Sequence, residues 1–209
     1  MKGLFITFEG GEGAGKSTQT RLLHAALSKL GHTVHLTREP GGSPGAEALR
    51  ELILFSEAPL SQRAQVLAHM AARADHLDSL ILPALARGES VICDRFHDST
   101  LVYQGYGLAR GATRDLDFIR SVRGLLACEP DLTILLDVPP ELGAARVASR
   151  GGKTDRYEQE AIAFHQRIAA GFDTLANEEP RRIRRIDASR TPDEVAADIL
   201  SVVMNYLPS

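Results

Sequence analysis

The decapeptide EGGEGAGKST, residues 9–18, comes directly after the apolar run GLFITF at 3–8 and leads into an amphipathic stretch at 16–30. Gly10, Gly15, Lys16 and Ser17 complete the pattern G-x-x-x-x-G-K-[ST]. Glycines let the backbone turn and wrap its N–H groups around a polyphosphate, the lysine adds a point charge, and the serine hydroxyl can ligate Mg²⁺. A random chain of this length meets the pattern roughly once in a hundred. The strand before it and the helix after it, with Leu22, Leu23, Ala26, Leu27 and Leu30 as the expected apolar stripe, make the reading far more specific. The loop therefore predicts a nucleoside triphosphate site built from Gly10, Gly11, Glu12, Gly13, Ala14, Gly15, Lys16, Ser17 and Thr18. Glu12 is the odd member, because a carboxylate beside polyphosphate is repulsive unless something compensates it.

A strand–loop–helix of this kind needs a parallel sheet to stand in, and the rest of the chain supplies one. Residues 3–8, 33–37, 90–93, 131–138 and 182–187 read as strands, with helical patterns at about 16–30, 45–55, 61–87, 113–127, 139–149, 157–177 and 191–206. The expected class is α/β, a P-loop three-layer fold with a five-stranded parallel sheet between helices, in a single domain spanning 1–209. LTILLDV is apolar nearly throughout, as a strand covered on both faces should be, whereas RIRRID points to a sheet edge. The net charge is −3, so the arginines at 181–185 read as a solvated edge and not as a nucleic-acid patch. Cys93 and Cys128 have no metal-ligand spacing and read as reduced, buried thiols. No stretch approaches the roughly 20 apolar residues of a membrane span, and the expectation is a soluble cytoplasmic protein.

GTPases, motors and kinases share the loop. No N/T-K-x-D motif is present, and no D-x-x-G comes after the second or third strand. The third strand instead runs into CDRFHDSTLVYQG. Asp94 and Arg95 then lie at the carboxyl end of a strand, where open parallel sheets bind ligands. A carboxylate there can orient Mg²⁺, making Ser17 and Asp94 the candidate metal ligands, and an arginine beside the phosphate loop can hold a second phosphate bidentately. An acceptor that is itself phosphorylated is the natural partner of that arginine.

FEGGEGAGKST, TREPGG, DRFHDSTLVYQG, PDLTILLDV and RIRRIDAS, in that order and at these intervals, resemble the thymidylate kinase family, the bacterial dTMP kinases. The resemblance runs over essentially the whole chain. It implies Mg²⁺-dependent transfer from ATP to dTMP, and a homodimer. The residues alone still admit another nucleoside monophosphate or deoxynucleoside kinase, or a P-loop ATPase that switches shape and phosphorylates nothing.

The resemblance also assigns roles. Glu12 faces the acceptor and takes a hydrogen bond from the deoxyribose 3′-hydroxyl. Arg38 or Arg50 reaches the acceptor phosphate together with Arg95. On helix 61–87, His69, Arg73 and His76 fall at i, i+4 and i+7 and share a face that lines a cleft. Arg73 hydrogen-bonds thymine and position 69 stacks on it, although the family usually has Phe where this chain has His69. Ser99, Thr100, Tyr103 and Gln104 come from a helix start after Arg95; Thr100 and Gln104 suit the thymine edge, and Tyr103 packs under the sugar and leaves no room for a 2′-hydroxyl. RVASRGGKTDRYE, 146–158, reads as a lid. The phosphate loop has no arginine, so Arg150 and Arg156 are the candidates for stabilising transferred charge, with Arg146 and Ala188 near adenine. Phe172 stands where many relatives have Tyr. The expected catalytic set is Glu12, Lys16, Asp94, Arg95, Arg150 and Arg156.

Overall fold

The structure is a computed structural model that describes residues 3–57, 60–150 and 156–207, with Arg150 described only by its place in a helix. Five strands, β1 (Phe5–Glu9), β2 (Val34–Arg38), β3 (Ser90–Asp94), β4 (Leu132–Asp137) and β5 (Ile183–Asp187), form one parallel sheet in the order β2-β3-β1-β4-β5. This is the expected α/β arrangement. All five residues of β1 are buried, and so are the first five of β4, because both strands are central and covered on both faces. β5 is the edge that RIRRID foretold: Ile183 and Ile186 face inward while Arg184 and Arg185 are exposed. Those arginines are engaged locally. Arg184 donates to the Tyr206 hydroxyl at 3.2 Å, and Arg185 pairs with Asp173.

The helices are α1 (Lys16–Lys29), α2 (Pro44–Phe55), α3 (Gln62–His76), α4 (Leu82–Ala86), α5 (His97–Thr100), α6 (Thr113–Gly124), α7 (Pro140–Arg150), α8 (Ile162–Glu178) and α9 (Pro192–Met204). α9 begins in a capping box, Thr191 and Glu194 satisfying each other's donors, with Pro192 at the first helical position. Helix 61–87 of the sequence pattern is α3 and α4 joined by a π-helical turn, Leu77–Ile81. Its apolar stripe Val66, Met70, Leu77 and Ile81 is buried as expected. α5 likewise runs on as a π-helical stretch, Leu101–Leu108, whose wider turns carry Tyr103 and Gln104. Sequence patterning does not delimit this element, since YQGYG is too glycine-rich to read as helix.

Three further expectations are corrected. In α1 the buried face is Lys16, Gln19, Thr20, Leu23 and Leu27, an i, i+4 set that leaves Leu22 and Leu30 36% and 55% exposed. Cys93 is buried within β3, but Cys128, on the loop after α6, is only partly buried. α8 starts at Ile162 and not at 157; the intervening residues form turns that place Tyr157 against the core. Among the described residues, no helix is long and apolar enough to cross a membrane.

Candidate active site

The phosphate loop leaves the carboxyl end of β1 and is wedged between β4 and α7. Gly10 has φ 140, and a Cβ there would sit 2.5 Å from the Leu136 carbonyl oxygen. Gly13 has φ 69, and its Cβ would meet the Gly143 carbonyl oxygen at 2.2 Å. Both positions thus demand glycine on conformation and on space. Lys16 Nζ folds back to the loop, donating to the carbonyls of Gly10 at 3.1 Å and Gly11 at 2.7 Å. Burial, with the nearby charge of Arg95, pushes its pKa down to about 8. At the opening of the loop Ser17 Oγ donates to Asp94 Oδ2 at 2.7 Å, so a hydroxyl and a carboxylate oxygen stand together on the cleft surface. That pair of hard oxygen donors fits Mg²⁺.

Glu12 is where the loop meets the second half of the site. Its Oε1 accepts from Arg95 Nη2 at 2.6 Å and from the Tyr103 hydroxyl at 2.7 Å. Burial alone would raise the Glu12 pKa, but Arg95, Lys16 and the Tyr103 hydrogen bond outweigh it and hold the carboxyl at about 2. The same arginine gains a further hold on its proton from Glu12 against the burial that disfavours its charge. Its guanidinium lies 4.8 Å from the Tyr103 ring centroid. Arg95 itself has φ 70, a left-handed conformation costing a non-glycine residue roughly 1–3 kcal/mol. A residue held in strain beside a phosphate loop needs surroundings that over-determine it.

Farther along the cleft, Arg73 is 3% exposed and fully oriented: Nε donates to Glu39 Oε2 at 2.7 Å and Nη2 to Thr100 Oγ1 at 3.0 Å. Glu39, from the loop after β2, also pairs with His76 Nδ1 at 3.1 Å, and His76 Nε2 lies 2.8 Å from Thr37 Oγ1. His76 is therefore part of the support behind Arg73. It does not line the cleft as helical spacing suggested, because Glu39 draws its ring into the core. His69 and Gln104 both approach the Tyr157 hydroxyl, at 3.5 and 2.8 Å. Gln104 Oε1 is buried and has no hydrogen-bond partner among the described residues. Tyr157 packs edge-on to Tyr103 at 5.4 Å between centroids.

One cavity of about 560 Å³ takes in Glu12 to Thr18, Asp94, Arg95, His69, Arg73, Ser99, Thr100, Tyr103 and Gln104, together with Arg38, Arg50 and Arg146. Arg38 is turned to Glu47, with both carboxylate oxygens at 3.1 Å, while Arg50 Nη1 donates to the Pro40 carbonyl at 2.7 Å. Arg146 Nη1 donates to the carbonyls of Ala188 at 2.9 Å and Gly13 at 3.4 Å, so Ala188 meets the site through that arginine. Arg156 lies 5.7 Å from the Tyr157 ring centroid. Gly10, Gly11 and Phe172 line a smaller neighbouring cavity of about 310 Å³. Gly151, Gly152 and Lys153 of the lid lie outside the described residues, as does the side chain of Arg150.

Three residues of the site carry no assignment from the sequence. Glu9 and Glu39 stand inside the FEGGEGAGKST and TREPGG motifs, but nothing local distinguishes a buried acid from a solvated one. Tyr157 falls within the lid pattern, and its aromatic character is the one available signal of an inward role.

His69 gives a test in itself. Burial, reinforced by the charges of Arg73, Arg156 and Arg95, holds its imidazole neutral with a pKa of about 3, against an ordinary 6.5. Between those values the unfolded chain binds a proton that the native state refuses. The stability His69 contributes is thus full above about pH 6.5 and is lost as pH falls toward 3. His69→Phe should therefore melt with less acid sensitivity than the parent, by up to about 1.4 kcal/mol per pH unit in that window. Parallel curves of melting temperature against pH would show that the ring is not buried neutral.

Comparison with known proteins agrees over nearly the whole chain. The family model for Thymidylate kinase matches residues 8–199. The chain is 60% identical over 206 residues to a thymidylate kinase of Gluconobacter oxydans (strain 621H), covering 99% of this chain and 96% of that one. It is 49% identical over 207 residues to the thymidylate kinase of Ruegeria pomeroyi, covering 98% and 96%. Among solved structures, the thymidylate kinase of Ehrlichia chaffeensis superposes with a TM-score of 0.77 at 32% identity, covering 97% of this chain and 99% of that one.

Proposed function

We propose, from the premise that this chain belongs to the thymidylate kinase family, how its cleft phosphorylates dTMP with ATP as donor. The protein is a kinase of dTMP, and a different monophosphate kinase or a switch ATPase is not favoured. The observation that carries the assignment of roles is that one cavity unites the phosphate loop with a second, chemically distinct set of side chains. An ATPase needs only the first set; a kinase needs both.

In this reading ATP lies along Gly10 to Thr18, with Arg146 and Ala188 beside its base, and dTMP lies along Arg95, Tyr103, Arg73 and Gln104. A phosphate oxygen of dTMP attacks the terminal phosphorus of ATP. The new P–O bond forms as the bond to the bridging oxygen breaks, and ADP leaves. The attacking dTMP oxygen is already ionised near neutral pH, so no general base is needed, and the chain's contribution is position and charge. Lys16 releases the loop carbonyls to reach the terminal phosphates. Arg95 spans the acceptor phosphate and Glu12, whose carboxylate accepts the sugar 3′-hydroxyl. Gln104, which lines the cleft, suits the thymine edge. Thr100 Oγ1 and Arg73 face the same edge, His69 stacks on the ring, and Ser99 steadies Arg95. Arg38 and Arg50 line the phosphate end of the cleft.

Mg²⁺ between Ser17 and Asp94 would neutralise charge on the transferring oxygens. Residues 146–158 are the lid candidate, with Arg150 and Arg156 as its candidates for stabilising transferred charge, and closure of such a lid would exclude water. The whole chain acts as one kinase domain, cytoplasmic and homodimeric, with no nucleic-acid or membrane partner; the paired arginines of β5 and the acidic net charge support the absence of a nucleic-acid surface.

The test is ADP release with Mg²⁺-ATP and dTMP, dUMP, UMP, dCMP, AMP or GMP supplied separately. Strong stimulation by dTMP, weaker by dUMP and almost none by UMP is expected, the last because the Tyr103 ring occupies the space of a 2′-hydroxyl. Equal stimulation by UMP and dUMP removes the sugar filter. Turnover no higher with any monophosphate than without would remove the acceptor site altogether.

A further inference from the structure

Arg95 keeps its left-handed conformation by several anchors. Its amide donates to the Phe8 carbonyl at 2.9 Å, and its own carbonyl accepts from Cys93 Sγ at 3.0 Å. Just beyond it, three donors converge on one carboxylate. Glu9 Oε1 accepts the amides of Phe96 at 2.8 Å and Ser99 at 3.2 Å, and Glu9 Oε2 accepts the Ser99 hydroxyl at 2.5 Å. Glu9 is 1% exposed, and the transfer chemistry does not use it. The Ser99 oxygen that donates to Glu9 in turn accepts from Arg95 Nη1 at 3.2 Å. The other acceptor of that same nitrogen, at 3.0 Å, is the carbonyl of Gly10, the residue next to Glu9 in the chain.

Both bonds that orient Arg95 Nη1 are thus tied to Glu9, one through Ser99 and one through the main chain. The amides it caps begin the helix of α5 and Leu101–Leu108, which carries Thr100, Tyr103 and Gln104. Behind that helix start, Asp98 is gripped by Arg182, at 2.7 and 3.0 Å, and by His97 at 3.0 Å, so the turn cannot slide outward.

We propose that Glu9 is a positioning residue: it docks the start of the acceptor helix onto the strand that carries the phosphate loop, and through Ser99 aims Arg95 at Glu12 and the acceptor phosphate. A carboxylate is needed because all three partners are donors. A carboxamide at position 9 would present N–H₂ to a Ser99 oxygen that already accepts from Arg95, leaving the serine proton without an acceptor. The inference rests on Arg95 acting in the transfer, and the experiment separates the two.

Glu9→Gln, Arg95→Lys and the double variant are compared with the parent enzyme by kcat, by KM for each substrate and by thermal melting. Glu9→Gln is expected to lower kcat about 10- to 100-fold, the scale of a misplaced catalytic group, with KM for ATP held within about twofold. In the Arg95→Lys background, where the fork that Ser99 and Gly10 orient is gone, Glu9→Gln should cost less than about threefold more. A Glu9→Gln enzyme with parental kcat, or one whose loss is undiminished in the Arg95→Lys background, overturns the positioning role. Parental kcat in Arg95→Lys alone would instead remove the role of Arg95 on which it stands. Should Glu9→Gln not fold, Ser99→Ala takes its place in the same cycle: a kcat loss that vanishes in the Arg95→Lys background supports the linkage, and an undiminished one overturns it.

Discussion

Lys16→Ala is expected to fold as the parent does and to lose about 10³-fold or more in kcat/KM. Lys16 is a buried ammonium that donates to two loop carbonyls; removing it relieves desolvation, the Gly10 carbonyl keeps its bond from Arg95 Nη1, and Gly11 is only partly buried. The melting temperature should therefore hold or rise while catalysis collapses, because no other group on the loop can bring positive charge to the terminal phosphates. Circular dichroism melts alongside steady-state rates separate the two effects. The parent enzyme offers a corollary. With the Lys16 pKa pushed down to about 8 by burial and Arg95, kcat/KM for ATP should fall as pH rises through about 8, since that parameter reports the free enzyme. A parameter flat to pH 10 would count against a lysine in this environment.

Arg95→Ala should be nearly as damaging, at about 10³-fold in kcat/KM for dTMP, the scale of an arginine that stabilises transferring phosphate. Two losses combine. The acceptor phosphate loses its bidentate partner, and Glu12 loses the strongest of the charges holding it ionised in a buried position. With Arg95 present, the stability Glu12 contributes is complete above about pH 4.5 and is lost only as pH falls toward 2. Without it, burial raises the Glu12 pKa toward or above its unfolded value, so the stability that the ionised carboxylate contributes near neutral pH shrinks or turns into a cost that protonation relieves. The variant should therefore be slow at every pH and less stable than the parent near neutrality, while losing less stability than the parent does as pH falls below about 4.5. An active Arg95→Ala enzyme would remove the arginine from the mechanism; unchanged acid stability would mean that Lys16 and Tyr103 suffice to hold the Glu12 charge.

Much of the fold and of the site is legible in the chain alone. The phosphate loop is local in sequence, and the positive φ of Gly10 and Gly13 is a local demand for glycine, to which the close approach of Leu136 and Gly143 adds a tertiary one. Strand and helix positions come from periodicity, and the sheet edge comes from arginines that a central strand could not bury. The weaker readings share a cause. Composition puts Leu22 and Leu30 of α1 in the apolar stripe, but which side of a helix is covered depends on the sheet it meets. His76 shares its helical face with Arg73, yet Glu39, 37 residues away in sequence, turns it from cleft wall to support.

The chain's sequence by itself determined the fold class, the phosphate loop and, through an ordered set of motifs, the family to which it belongs. Those are written in short contiguous patterns, because backbone geometry and hydrophobic periodicity act over a few residues. Tertiary structure alone decided which charges face one another. Glu12 is compensated by Arg95 from just beyond the end of β3, Arg73 is oriented by Glu39, and Glu9 caps a helix that begins 88 residues later. Burial lowers the effective dielectric and makes such pairings strong, and it arises only when distant segments pack together.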